Sequence, residues 1–190
     1  MNAVAAIGLL FLLSVVDPIF PPNAVLGGTV VARLHFVSGN VKNVTILSGE
    51  EPFSSSCKTA LAEWHMKSEP DGDELVIVHF RQPYLYTWGD NKEEINPARP
   101  GKSLPYPIYI VPPSYPANAL GQGSVILRTE VSAEGKVSDV QVIEPMGVLT
   151  SASTDAVRRW RFTPAEDEQG AATSSHAYAV LVYRYPLTKP

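Results

Sequence analysis

Residues 133–142 read AEGKVSDVQV, and residues 37–46 read VSGNVKNVTI. Each holds a Gly, one residue, a Val, two residues, a second Val, one residue, then Val or Ile. A glycine followed by alternating apolar residues is the pattern of a hairpin turn entering a strand. Its recurrence makes an internal repeat the first hypothesis to test.

Outward from these stretches, GTVVARLHFVSGNVKNVTILSG from Gly28 aligns with GSVILRTEVSAEGKVSDVQVIEP from Gly123, with one residue inserted in the second turn. Val30, Ala32, Leu34 and Phe36 then match Val125, Leu127, Thr129 and Val131 as the inward row of a strand. Gly39 and Gly135 supply the positive φ of the turns. Each copy continues into an amphipathic helix. Phe53, Cys57, Leu61 and Trp64 form one stripe, and Leu149, Ser153, Val157 and Trp160 the other. Ser54 and Thr150 are the expected N-caps. Arg158 and Arg159 are expected in the last turn of the second helix, where they suit its dipole. A returning strand closes each copy, ELVIVHFRQP from Glu74 and AYAVLVYRYP from Ala177. Arg81 and Arg184 are equivalent in that alignment. Three strands and a helix make a minimal α+β layer. A unit of that size has a marginal core, so two copies packed together bury more.

Between the copies, prolines at 83, 97, 100, 105, 107, 112, 113 and 116 argue against a regular helix or a central strand. The tract reads as extended and partly polyproline II. Its aromatics Tyr84, Tyr86, Trp88, Tyr106 and Tyr109 place it against a surface. At the start of the chain, Ala3 to Val16 is an uncharged apolar run. At about 14 residues it is short of the roughly 20 that span a bilayer. It reads as the apolar region of an export signal, cleaved after Val16 or kept as an anchor.

With 190 residues, 45% hydrophobic and 18% charged, the chain suits one ordinary domain or two small ones. A net charge of −4 argues against nucleic acid, which needs a basic stripe. The single cysteine, Cys57, excludes an internal disulfide. It lies on a helix stripe, where a thiol is inert packing. His35 and His79 fall on outward strand positions, His65 follows a helix and His176 lies in a loop. All four read as solvated, with no metal-ligand spacing among them. Glu50, Glu51, Glu166, Asp167 and Glu168 read as solvated loop charges, and Trp64 and Trp160 as core anchors. No nucleophile elbow or phosphate loop is present, so neither an enzyme nor a cofactor is expected.

The second copy carries Tyr115-Pro116, Gly123-Ser124-Val125, the Gly135 to Val142 run, and Ala156 through Trp160 and Phe162 to Pro164. This combination resembles the C-terminal domain of TonB over about residues 113–187. The first copy, about residues 20–83, resembles a degenerate version. It keeps Pro22, Ala60 and Trp64, has Met66 for the aromatic, and has its proline displaced to Glu69-Pro70. The segment between Tyr115-Pro116 and Gly123 is shorter than in the family, and Leu120 falls near the family's polar contact. The resemblance implies a periplasmic or inner-membrane-anchored protein of the bacterial envelope. Its partner would be a segment of an outer-membrane receptor or another envelope protein, together with an ExbB/ExbD-type complex. The mode would be β-augmentation of an exposed sheet edge.

The expected organisation is therefore α+β: residues 1–19 as signal or anchor, 20–83 as the degenerate repeat, 84–112 as linker and 113–187 as the TonB-like domain. Each domain is expected to have its own small antiparallel sheet. The last strand is the expected peptide-binding edge, comprising Tyr178, Ala179, Val180, Leu181, Val182, Tyr183 and Arg184. Ala179, Leu181 and Tyr183 point inward, while Tyr178, Val180, Val182 and Arg184 form an outward row apolar enough to need a cover: a peptide, the aromatic linker or the first copy's strand from Leu75 to Arg81. The alternative is an adaptor whose two repeats pair with each other and bind an unrelated partner.

Overall fold

The computed structural model describes residues 12–24, 26–66, 71–81, 92–96, 101–116, 119 and 121–185. The start of the apolar run, Glu69-Pro70, Pro83, Tyr84, Tyr86, Trp88, Pro97, Pro100, Leu120 and Pro186 lie outside them.

The hairpin, helix and returning strand occur twice, as expected. In the first half they are β2 (Gly28–Val37), β3 (Asn40–Ser48), α1 (Phe53–Leu61) and β5 (Gly72–Phe80). In the second they are β8 (Gly123–Val131), β9 (Val137–Glu144), α2 (Val148–Val157) and β13 (Ser175–Tyr183). Gly39 and Gly135 both have positive φ, 76° and 73°. At each, a Cβ would collide with a backbone carbonyl, that of Met66 or of Phe162. Those partners lie on short strands after the helices, β4 (His65–Met66) and β10 (Arg161–Thr163).

The helix starts differ from expectation. Pro52 and Gly147 precede the helices, and neither gives a side-chain cap. Ser54 and Thr150 lie inside the first turns, so their side chains sit past the N-cap position. Thr150 Oγ1 instead accepts the Met146 N–H at 2.7 Å, reaching back from the helix. Helix α2 ends at Val157, with Arg158 as its C-cap, so the two arginines follow the last turn.

The principal correction concerns the sheet. Two antiparallel sheets in separate domains were expected, but the halves share one mixed sheet. Among the described residues it has eight strands, in the order β1-β4-β3-β2-β5-β13-β8-β9, where β1 is Leu12–Ser14. The joint is a parallel pairing of β5 with β13, running from Val76↔Tyr178 to Phe80↔Val182. All other described pairings in this sheet are antiparallel.

A parallel joint puts the two helices on opposite faces. On one face, Phe53, Cys57, Leu61 and Trp64 pack on Val30, Ala32, Leu34, Val76 and Val78. That face also takes Ile126, Tyr178, Val180 and Val182 from the second half. On the other, Leu149, Val157 and Trp160 pack on Val125, Leu127, Ala179, Leu181 and Tyr183, with Val31, Leu75 and Ile77 from the first half. Each core is thus completed by the partner half. This explains the near-continuous apolar runs of β5 and β13, which are buried on both faces.

The described part of the Pro-rich tract packs against the α2 face, with Tyr106 and Tyr109 of its aromatics in that core. It contributes β6 (Glu93–Glu94) and β7 (Tyr106–Ile110) to a small sheet ordered β10-β7-β6. A proline-containing segment is therefore a middle strand, contrary to expectation. It is tolerated because β6 reaches only Tyr109 and Ile110, leaving Pro107 paired on one side with Phe162. A two-stranded ribbon of β11 (Ala165–Glu166) and β12 (Ala172–Thr173) completes the elements of the described residues.

Candidate functional site

The expected edge strand is not an edge. Tyr178 to Val182 pair with β5 on one side, and Tyr178 to Tyr183 with β8 on the other. The whole run from Tyr178 to Tyr183 is buried. The inward and outward rows fall as read, and the outward row is covered. Its cover is the α1 face, where Trp64 meets Tyr178 edge-on at 6.1 Å. Arg184 lies just beyond the strand end.

Among the described residues strand β9 is paired along its length only with β8 and is one end of the large sheet, with a single bridge from Lys136, just before it, to Arg161. Ser138 and Asp139 on it are exposed, and Val142 is 40% exposed. Unpaired backbone groups on such a strand are a template for an added one.

The joint between the halves is clamped reciprocally. The Arg81 N–H donates to the Val182 carbonyl at 2.9 Å, and its Nε to the Pro113 carbonyl at 3.0 Å. Its guanidinium lies 5.3 Å from the centre of the Tyr115 ring. The equivalent Arg184 lies 5.1 Å from the Phe20 ring and donates to the Ala24 carbonyl at 3.0 Å. Each half ends by gripping an aromatic that precedes the other half's hairpin. Burial lowers the Arg81 pKa, while Tyr183 and Tyr115 counter that shift.

These contacts expose an equivalence that sequence reasoning missed. Trp64 Nε1 donates to the Val16 carbonyl at 3.1 Å, and Trp160 Nε1 to the Val111 carbonyl at 3.1 Å. Leu12–Ser14 pairs with β4 as residues 107–109 pair with β10. Ala24 N–H donates to Pro21 as Ala119 N–H does to Pro116. The available signal was FPPNA at 20–24 against YPANA at 115–119, at the same spacing of 95 residues as Gly28 and Gly123. Residues 12–16, expected to be the end of an export signal, are built into the fold.

Within the cores, Ser153 Oγ and the Tyr183 hydroxyl are bonded at 2.7 Å, and Ser153 also donates to the Leu149 carbonyl. Burial pushes the Tyr183 pKa up. In the first half the equivalent pair is Cys57 and Phe80, apolar in both members. Burial likewise raises the Cys57 thiol pKa, which fits a packing role.

His79 departs most from expectation. It is buried rather than solvated, and its Nδ1 is bonded to Thr29 Oγ1 at 2.9 Å. Glu93 Oε2 lies 3.7 Å from the same nitrogen. Burial, aided by Arg81, pushes the imidazole pKa down to about 3. His176 lies in β13 rather than a loop, with Nε2 2.9 Å from Glu74 Oε2. His35 and His65 bond Asp73 and Asn40 at exposed sites. Glu166 pairs with Lys102 at 2.8 Å. Among the described residues no group of three or more His, Cys, Asp or Glu could hold a metal ion. Among them, too, no helix is long and apolar enough to cross a membrane.

Comparison with known proteins finds a likeness to TonB proteins. Protein tonB2 of Pseudomonas aeruginosa is 42% identical over 59 residues, covering 28% of this chain and 22% of that protein. The chain thus spans about a fifth of the length of the curated relative it matches. The family model described as the Gram-negative bacterial TonB protein C-terminal matches residues 111–184, the segment from the end of β7 through β13.

Proposed function

We propose that this chain is an envelope protein of the TonB system that works by binding an extended partner segment, and that it binds at β9 rather than β13. The family match over residues 111–184 supports a role in TonB-dependent transport. The observation that carries the location is the parallel pairing of β5 with β13. A peptide could add to residues 178–184 only if β5 left, exposing apolar surface in both cores. Strand β9 needs no such displacement, and a bound strand there would gain backbone hydrogen bonds worth about 0.5–1.5 kcal/mol each.

The first half, on this reading, is a degenerate copy of the second, reaching from residue 12 to Arg81. Its returning strand fills the edge that a peptide would otherwise take. The chain then acts as an adaptor in the periplasm or at the inner membrane, linking an outer-membrane receptor or another envelope protein to an ExbB/ExbD-type complex.

The test places a photo-crosslinking residue at Ser138, exposed on β9, or at Tyr185, 56% exposed beyond β13. The expected result in envelope preparations is capture of a receptor segment from position 138. Capture from position 185 alone would overturn the β9 assignment. Unchanged uptake through TonB-dependent receptors in cells lacking the chain would overturn the transport role.

A further inference from the structure

A cavity of about 360 Å³ lies where residues 17–22 cross the start of β8 and the end of β13. Phe20, Pro22 and Val182 give it apolar walls, and Asp17, Ser124 and Arg184 give it polar ones. Ser124 is 5% exposed, and its hydroxyl has no hydrogen-bond partner. Asp17 Oδ1 is also buried and unpartnered. Burial raises the Asp17 pKa, and the Ser124 hydroxyl beside the carboxyl only partly opposes that shift. The Glu144 carboxyl, also raised by burial, feels the charge of Asp17. A buried hydroxyl and carboxyl left unpaired cost free energy that a donor-bearing ligand would recover.

The other half shows what satisfies such a wall. Thr29 is the equivalent of Ser124, and His79 of Val182. There the His79 Nδ1 meets the Thr29 hydroxyl at 2.9 Å, with the Glu93 carboxylate 3.7 Å away. A hydroxyl, a nitrogen and a carboxylate together fill that position. In the second half the hydroxyl and a carboxyl recur, but Val182 brings no nitrogen. Arg184 does not supply one to the pair, since it is bonded to the Ala24 carbonyl and lies over the Phe20 ring.

We propose that this cavity binds a primary alkylammonium group, such as a lysine side chain. Its nitrogen would sit between the Asp17 carboxyl and the Ser124 hydroxyl, with its carbon stem along Phe20, Pro22 and Val182. The site does not depend on where a partner strand adds to the sheet.

The test is an NMR titration of the intact chain with n-butylammonium chloride, and with n-butanol as the uncharged counterpart. Saturable shifts at the amides of Ser124 and Val182–Arg184 are expected with the ammonium and not with the alcohol. Asp17→Asn should weaken binding by about tenfold or more, and Ser124→Ala by a smaller factor. Glu93→Gln, in the half already filled, should leave binding unchanged. Should Asp17→Asn not fold, Ser124→Ala decides: binding as tight as in the parent overturns the assignment. Equal binding of butanol, or no saturable shift with the ammonium, overturns it too.

Discussion

Truncating Trp160 to Ala tests whether the two halves stand or fall together. The ring is fully buried beneath α2, and its Nε1 donates to the Val111 carbonyl. Removing it leaves a cavity and an unpaired buried carbonyl, a loss of about 3–5 kcal/mol for an aromatic truncation of this kind. Typical domains have about 5–15 kcal/mol in all, so a large share is lost. At a urea slope of about 2 kcal/mol per molar, the midpoint should fall by about 1.5–2.5 M. The α2-side core that loses the ring also contains Val31, Leu75 and Ile77 from the first half. The damage should therefore cross the joint. Circular dichroism and the NMR signals of first-half residues such as Val30 and Val78 should report one common, lowered transition. An unchanged midpoint would show that the ring is not an anchor. Loss of second-half signals alone, with the first half persisting to higher urea, would refute the shared-sheet reasoning.

Under native conditions Cys57 should resist a thiol reagent, because it is fully buried and its thiolate is suppressed; rapid labelling would contradict that packing. Stability should fall on acidification from about pH 6.5 towards 3. There the unfolded chain protonates His79 and the native state does not, a slope of up to about 1.4 kcal/mol per pH unit. His79→Gln should flatten that part of the profile, and an unaltered slope in a pH-dependent urea series would count against it. A chain starting at Asp17 would lose β1 and the Val16 carbonyl that receives the Trp64 N–H. It should melt below the longer chain, and equal melting temperatures in differential scanning calorimetry would show that residues 12–16 contribute nothing.

The local elements were legible because each writes its own period. Gly39 and Gly135 mark the turns, and the stripes ending at Trp64 and Trp160 mark the helices. The joint was not legible, because alternation along a strand says which face a residue takes and not which strand lies beside it. A partial signal was present: Tyr178, Val180 and Val182 were too apolar for a solvated row, and the structure covers them. His79 was misplaced for the same reason, since its outward position is inward for the other half's core. Residues 12–16 belong to an apolar run, and apolar content alone does not say that such residues pair with β4 or meet Trp64. The open position beside Ser124 emerges only once the halves are superposed, because it depends on which residue stands opposite in each.

The joint between β5 and β13 lies within one chain, and this changes the law that governs it. Two separate half-length proteins meeting along such strands would associate by mass action and come apart on dilution. Tethering replaces that encounter with a unimolecular closure, at an effective concentration set by the connecting chain and not by dilution. Occupancy of β13 by β5 is therefore indifferent to how much of the protein a cell makes. A soluble competitor for that edge would face a rival that never diffuses away.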